Sequence, residues 1–226
     1  MQKEIAENRK TTIYAGITGF IFILVFPNII RRLNFLTPGS YVLGYIVALT
    51  TFCVILLVSK GNLKKFGFIG FRFSTLVRPM LLISIFAIST NLLNKYILKF
   101  HGVVVDKPNN MLNFFLMAFI ILPISEELQF RSLLQSTIQN LKWKILKIRN
   151  LQFAFPVLCS ASLFGLMHLT NIFRGASLNF TIFNAFSAFI AGLIFGYYKE
   201  KTGIILISII LHAFGNLMAF ITSFLF

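Results

Sequence analysis

Glu126 and Glu127 lie side by side within the apolar run 111–140 of a chain that has only six acidic residues. An ionisable group at the centre of a membrane helix costs ~2.5–3.5 kcal/mol on insertion scales. Two abutting carboxylates also repel each other unless one holds a proton. Arg131 follows Glu127 by four residues, so the two share a helix face and can form an ion pair. Glu126 points about 100° away and needs partners on other helices. His168 and His212 fall within later apolar runs, whereas His101 lies in a loop. Phe164 precedes His168 by one helical turn, and Asn216 follows His212 by one, so each histidine has a neighbour on its own face.

Together these groups can hydrolyse a peptide bond. A carboxylate in apolar surroundings takes a proton from water while a histidine holds that water in line. His212 and Asn216 can donate hydrogen bonds to the oxyanion on an attacked amide carbonyl. Alternatively Glu126, His168 and His212 could hold Zn²⁺, with a fourth place left for water. The chain has no HExxH, and the ligands would come from three helices, so spacing leaves both chemistries open. Singly, each residue has a structural explanation: membrane histidines and asparagines bond neighbouring helices, and Glu127 with Arg131 can be a plain ion pair. The full set on three spans favours a reaction or transport site.

The elements that must carry this set are membrane helices. The 226 residues are 57% hydrophobic and 12% charged, with a mean hydropathy of +0.84. That composition describes an integral membrane protein with no separate soluble domain. The expected fold is an all-α, polytopic transmembrane bundle of about seven spans (six to eight), at 12–30, 41–59, 79–98, 111–140, 151–170, 179–198 and 203–225. The first run ends in Arg31 and Arg32 with no cleavage pattern and reads as a retained span. Pro123 should kink the fourth helix and aim Glu126 inward, and the polar end of that helix, Gln135 to Asn140, should emerge beyond the membrane. Counted from the cytoplasmic ends, Glu126, His168 and His212 lie roughly 21, 25 and 14 Å deep, which allows one shared pocket.

The net charge of +15 comes from basic residues clustered between apolar runs, where they face lipid headgroups. Nucleic acid is therefore not an expected partner; the lipid bilayer is. With the N-terminus inside, 14 Lys and Arg fall on the inner side and five on the outer, which predicts a cytoplasmic N-terminus and an external C-terminus. Segment 60–78 mixes basic and aromatic residues and reads as an interfacial linker or a charged loop. Cys53 and Cys159 are far apart in apolar runs and indicate no redox chemistry. Abundant Phe, Ile, Asn and Lys suggest a bacterial plasma membrane.

Glu126-Glu127-x-x-x-Arg131, Phe164-x-x-x-His168 and His212-x-x-x-Asn216, in that order, resemble the three motifs of the CPBP family. These are the type II CAAX prenyl endopeptidases and bacteriocin-processing membrane proteases, also called the Abi family. The resemblance covers about 110–226, and 197–216 is similar to the family's turn before its last motif. It divides the single membrane domain into N-terminal helices, 1–110, and a catalytic core, 111–226. It implies that Glu126 and His168 activate water, that His212 and Asn216 stabilise the oxyanion, and that Glu127, Arg131 and Phe164 support the site. Family members are often labelled metalloproteases, and a metal-free glutamate hydrolase is the other view. Asn216 beside His212 suits an oxyanion clamp better than a zinc shell, so the metal-free form is preferred. No motif residue departs from the pattern.

The expected function is an intramembrane endopeptidase acting on a membrane-associated peptide or protein, such as a leader, a bacteriocin or pheromone precursor, or a protein tail. The alternative is a non-proteolytic scaffold or bacteriocin self-immunity protein that keeps the polar cluster for packing. A proton or metal-ion transporter is a third class, against which stands the lack of paired broken helices or inverted halves.

Overall fold

The computed structural model describes residues 2–32, 42–71, 73–102, 110–141, 144–148 and 151–225. Lys107, Arg72, Lys142 and Arg149, which entered the charge count, lie outside them. Among the described residues, seven helices follow one another: α1, Gln2–Arg32; α2, Val42–Ser59; α3, Phe73–Leu98; α4, Met111–Gln135; α5, Phe155–Arg174; α6, Leu178–Thr202; and α7, Ile205–Leu225. The last six are long and apolar enough to cross a membrane, and α1 carries a shorter apolar stretch, Lys10–Phe26. The chain is a multi-pass membrane protein. Its outer surface is itself apolar: Leu57, Leu81, Ile85 and Phe186 are exposed. Such a surface suits acyl chains, which offer backbone and polar groups no partners and so force them into helices.

The all-α expectation holds for the spans, with one addition between α4 and α5. There β1, Lys144–Ile148, and β2, Leu151–Ala154, pair antiparallel with Lys147 opposite Gln152 and a register irregularity between Lys144 and Leu146. Residues 151–154 therefore belong to a hairpin and not to the fifth span. Pro156 sets this boundary. In the first turn of α5 its missing N–H would have had no helical partner anyway, and Ala154 before it is extended (φ −78°, ψ 159°). The third span starts earlier than expected, at Phe73, because a short 3₁₀ turn leads straight into Val77–Leu92.

Helix α4 departs from regular α geometry twice, with π-helical turns at Met117–Ile121 and Leu128–Gln135 on either side of the α-helical Leu122–Glu127. Pro123 lies just after the first of these, where a missing backbone donor is accommodated by a widened turn. The outcome differs from the expected one. Glu127 turns wholly inward, while Glu126 keeps partial exposure. The polar end of α4 is also less free than expected. Gln135 is buried and donates to the carbonyl of Gly196 at 3.0 Å while accepting from Ser160 at 3.3 Å.

Helices α5 and α6 approach closely because small residues line their contact. Ala185, Ala188, Gly192 and Gly196 form one buried face of α6, the small-residue pattern by which membrane helices meet without a hydrophobic driving force. A Cβ placed on Gly165 of α5 would lie 2.8 Å from the Ala185 carbonyl oxygen and 2.9 Å from Phe189 Cβ. From α6 the chain enters α7 through Gly203 (φ 75°), whose N–H caps α6 on the carbonyl of Lys199 at 2.8 Å.

The link from α2 to α3 is fastened under the bundle. Its 3₁₀ turn Leu63–Phe66 buries Phe66, whose carbonyl accepts from Ser132 of α4 at 2.8 Å. The next carbonyl, of Gly67, accepts from the N–H of Ile205 at 2.9 Å. Lys60, Lys64, Lys65 and Phe73 remain exposed along the same segment.

Because backbone stands in the way at Gly165, Gly165→Ala should destabilise the fold by about 1–3 kcal/mol. Gly70→Ala, where nothing lies within 4 Å, should leave the unfolding midpoint nearly unchanged. Thermal unfolding of both variants in the same detergent checks this; equal shifts would refute the tight α5–α6 contact.

Candidate functional site

The site is built on Glu127, which is 0% exposed. Its Oε1 accepts from Arg131 Nη1 at 3.1 Å, one turn along α4, and from His212 Nδ1 of α7 at 2.9 Å. One oxygen thus joins two helices. Among the described residues, Glu127 Oε2 and Arg131 Nε and Nη2 are buried without a hydrogen-bond partner.

Arg131, also fully buried, is held by aromatic faces in place of further oxygens. Its guanidinium carbon lies 4.4 Å from the ring centre of Phe164, 5.5 Å from Phe195 and 5.9 Å from Phe130. Desolvated cation–π contacts of this kind contribute about 2 kcal/mol or more. Gly192 makes room for the group, since a Cβ there would come within 2.9 Å of Nη2.

The two histidines flank Phe164. His168 meets its ring edge-on at 4.9 Å and His212 at 5.7 Å, and His212 also stacks on Phe195 at 5.1 Å. His168 Nδ1 donates to the Phe164 carbonyl at 2.9 Å. A carbonyl only accepts, so in the neutral ring Nε2 is left as the open acceptor. In His212, Nδ1 is taken by Glu127, and Nε2 stands 3.7 Å from Glu126 Oε2, too far for a hydrogen bond. Glu126 has a side chain 21% exposed. Asn216 donates from Nδ2 to the Ala118 carbonyl at 3.0 Å, which leaves its second amide hydrogen and its oxygen for other use.

His168, His212, Asn216 and Phe164 line a cavity of about 310 Å³ whose other walls come from α3 and α6. Glu126 does not line it and borders it through His212. The structure therefore gathers the motif residues of α4, α5 and α7 around Phe164 but pairs them differently from the expectation. Glu126 approaches His212, and Glu127 is the hub, not an accessory to Arg131 alone. Among the described residues no three His, Cys, Asp or Glu side chains are placed to hold a metal ion. Glu126, His168 and His212 do not form a ligand set in this arrangement.

Two contributors were not foreseen. Phe195 and Gly192 of α6 shape the seat of Arg131, yet α6 has no Asp, Glu, His, Lys or Arg until Lys199. The available signal was the run of small residues at three- and four-residue spacing, which marks the face of α6 turned inward.

Residues 108–218 match the family model described as Type II CAAX prenyl endopeptidase Rce1-like. No curated protein matches the chain. No solved structure does either. The matched segment contains every residue of the cluster and excludes α3.

Removing one partner of a buried ion pair strands the other, typically at about 3–5 kcal/mol. Arg131→Met should therefore destabilise the protein severely, and adding Glu127→Gln should restore part of the loss. Thermal unfolding of the two single variants and the double variant measures this coupling; strict additivity would mean that the pair is not stabilising.

Proposed function

The segment 108–218 belongs to the Rce1-like family of type II CAAX prenyl endopeptidases, and on that premise we propose a mechanism for this membrane endopeptidase. Glu126 is the base that takes a proton from the attacking water, and His168 positions that water through Nε2. His212 and Asn216 donate to the carbonyl oxygen as it becomes an oxyanion. The proton then passes from Glu126 to the leaving amine, so that water ends divided between the two products.

One observation carries this reading above the others: Glu127 Oε1 on His212 Nδ1 at 2.9 Å. A carboxylate behind the imidazole fixes the ring and directs Nε2 toward Glu126 and the cavity. For Nε2 to donate to an oxyanion while Nδ1 stays on Glu127, both nitrogens carry hydrogen. The half-open setting of Glu126 suits a base that meets water, and the closed setting of Glu127 suits a support.

The mechanism needs no metal, in keeping with an asparagine and a carboxylate, in place of further ligands, beside His212. The substrate class is a membrane-associated peptide or protein with an uncharged segment around the cleaved bond. The 14-to-5 distribution of Lys and Arg supports a plasma-membrane protein with a cytoplasmic N-terminus.

Glu126→Gln should abolish cleavage while leaving insertion and unfolding temperature intact. Comparison of protein N-termini in cells carrying the native or variant chain reads this directly, and identical sets of termini would remove Glu126 from the mechanism. Asn216→Ala should lower kcat by about 10²–10³, the usual loss for one oxyanion donor. Cleavage by the purified protein should persist in the presence of EDTA or phenanthroline; inhibition reversed by added Zn²⁺ would overturn the metal-free reading.

A further inference from the structure

The cavity has a second polar wall that the reaction leaves unused. On α6, Asn184 and Ser187 stand three residues apart, on one helix face with Cβ atoms about 5–6 Å apart. Both are half-buried, and both line the cavity. Neither side chain has a hydrogen-bond partner among the described residues. Other polar residues at the cavity are committed. Asn91 Nδ2 donates to the Ala219 carbonyl at 2.6 Å, Thr90 Oγ1 donates to the Phe86 carbonyl at 2.9 Å, and Asn94 Oδ1 accepts from Phe100 N–H at 3.3 Å. An unpaired carboxamide and hydroxyl in an apolar bundle are unfavourable unless something else satisfies them. Among the described residues the cavity lining has no Asp, Glu, Lys or Arg, and Phe86, Phe180 and Phe183 supply apolar surface.

We propose that Asn184 and Ser187 bind the backbone of the substrate as an extended, uncharged strand and so set which peptides are accepted. This rests on the endopeptidase reading above. A carboxamide offers one donor and one acceptor to the C=O and N–H of a single residue, as a neighbouring strand would. Equivalent groups along one edge of an extended chain recur every ~6.8 Å, two residues at ~3.4 Å each, which the spacing of Asn184 and Ser187 approximates. Backbone recognition makes the contact indifferent to sequence. The phenylalanines then favour bulky apolar side chains, and the described wall around Asn184 and Ser187 offers no Asp, Glu, Lys or Arg to pair a charged one. Both residues act as substrate-binding groups that select for an extended backbone, distinct from the groups that move protons.

The test uses the full-length protein in lipid nanodiscs with a proteome-derived peptide library, new N-termini being quantified by mass spectrometry. Native protein should cut between uncharged, apolar residues, and Glu126→Gln should cut nothing. For the best-cleaved peptide, Asn184→Ala and Ser187→Ala should each raise KM about fivefold or more with kcat within about twofold. Replacing single backbone N–H groups of that peptide by ester oxygens should reveal one position where native protein loses affinity and Asn184→Ala does not. Asn184→Ser serves if the alanine variant does not fold. Glu126-dependent cleavage with KM unmoved in both variants, or a fall in kcat alone, overturns the backbone clamp and leaves the protease reading standing. Cleavage that persists in Glu126→Gln, or none by the native chain, overturns the reading and the clamp together.

Discussion

Charge neutralisation away from water is the constraint around which this bundle is organised. Glu127 and Arg131 have no solvent to stabilise them, and their bond at 3.1 Å leaves three polar atoms of the pair unmatched. The deficit is offset by His212 on the same carboxylate oxygen and by three phenyl rings around the guanidinium. Each of those partners comes from a particular helix: Phe130 from α4, Phe164 from α5, Phe195 from α6 and His212 from α7. Satisfying one buried ion pair thus dictates how four helices meet.

Much of this was legible in the sequence. Apolar runs located the spans, since helix is the only structure that satisfies backbone groups in lipid. The four-residue intervals of Glu127–Arg131, Phe164–His168 and His212–Asn216 gave each pair a common face, and the structure shows direct contact in the first two. The hairpin at 144–154 escaped because hydropathy alone does not separate a short apolar strand from the start of a span. Only Pro156 hinted at the boundary.

What the sequence left hidden was mainly the pairing between helices. Which carboxylate turns inward depends on the π-helical turns of α4, each adding a fraction of a residue to the local repeat. That rotation is invisible to a 3.6-residue count, which gave no sign that Glu127 would be the fully buried carboxylate. The contribution of α6 was hidden for a different reason. Glycine and alanine have no chemistry to attract notice, and Gly192 acts by leaving space for the Arg131 guanidinium.

Helix α3 forms one side of the cavity with residues such as Ile83, Phe86 and Thr90, yet it falls outside the segment matched by the family model. The motif residues and this one wall of the cavity thus lie on separate stretches of chain. Substitutions along α3 alter the shape of the entry without touching Glu126, Glu127 or either membrane histidine.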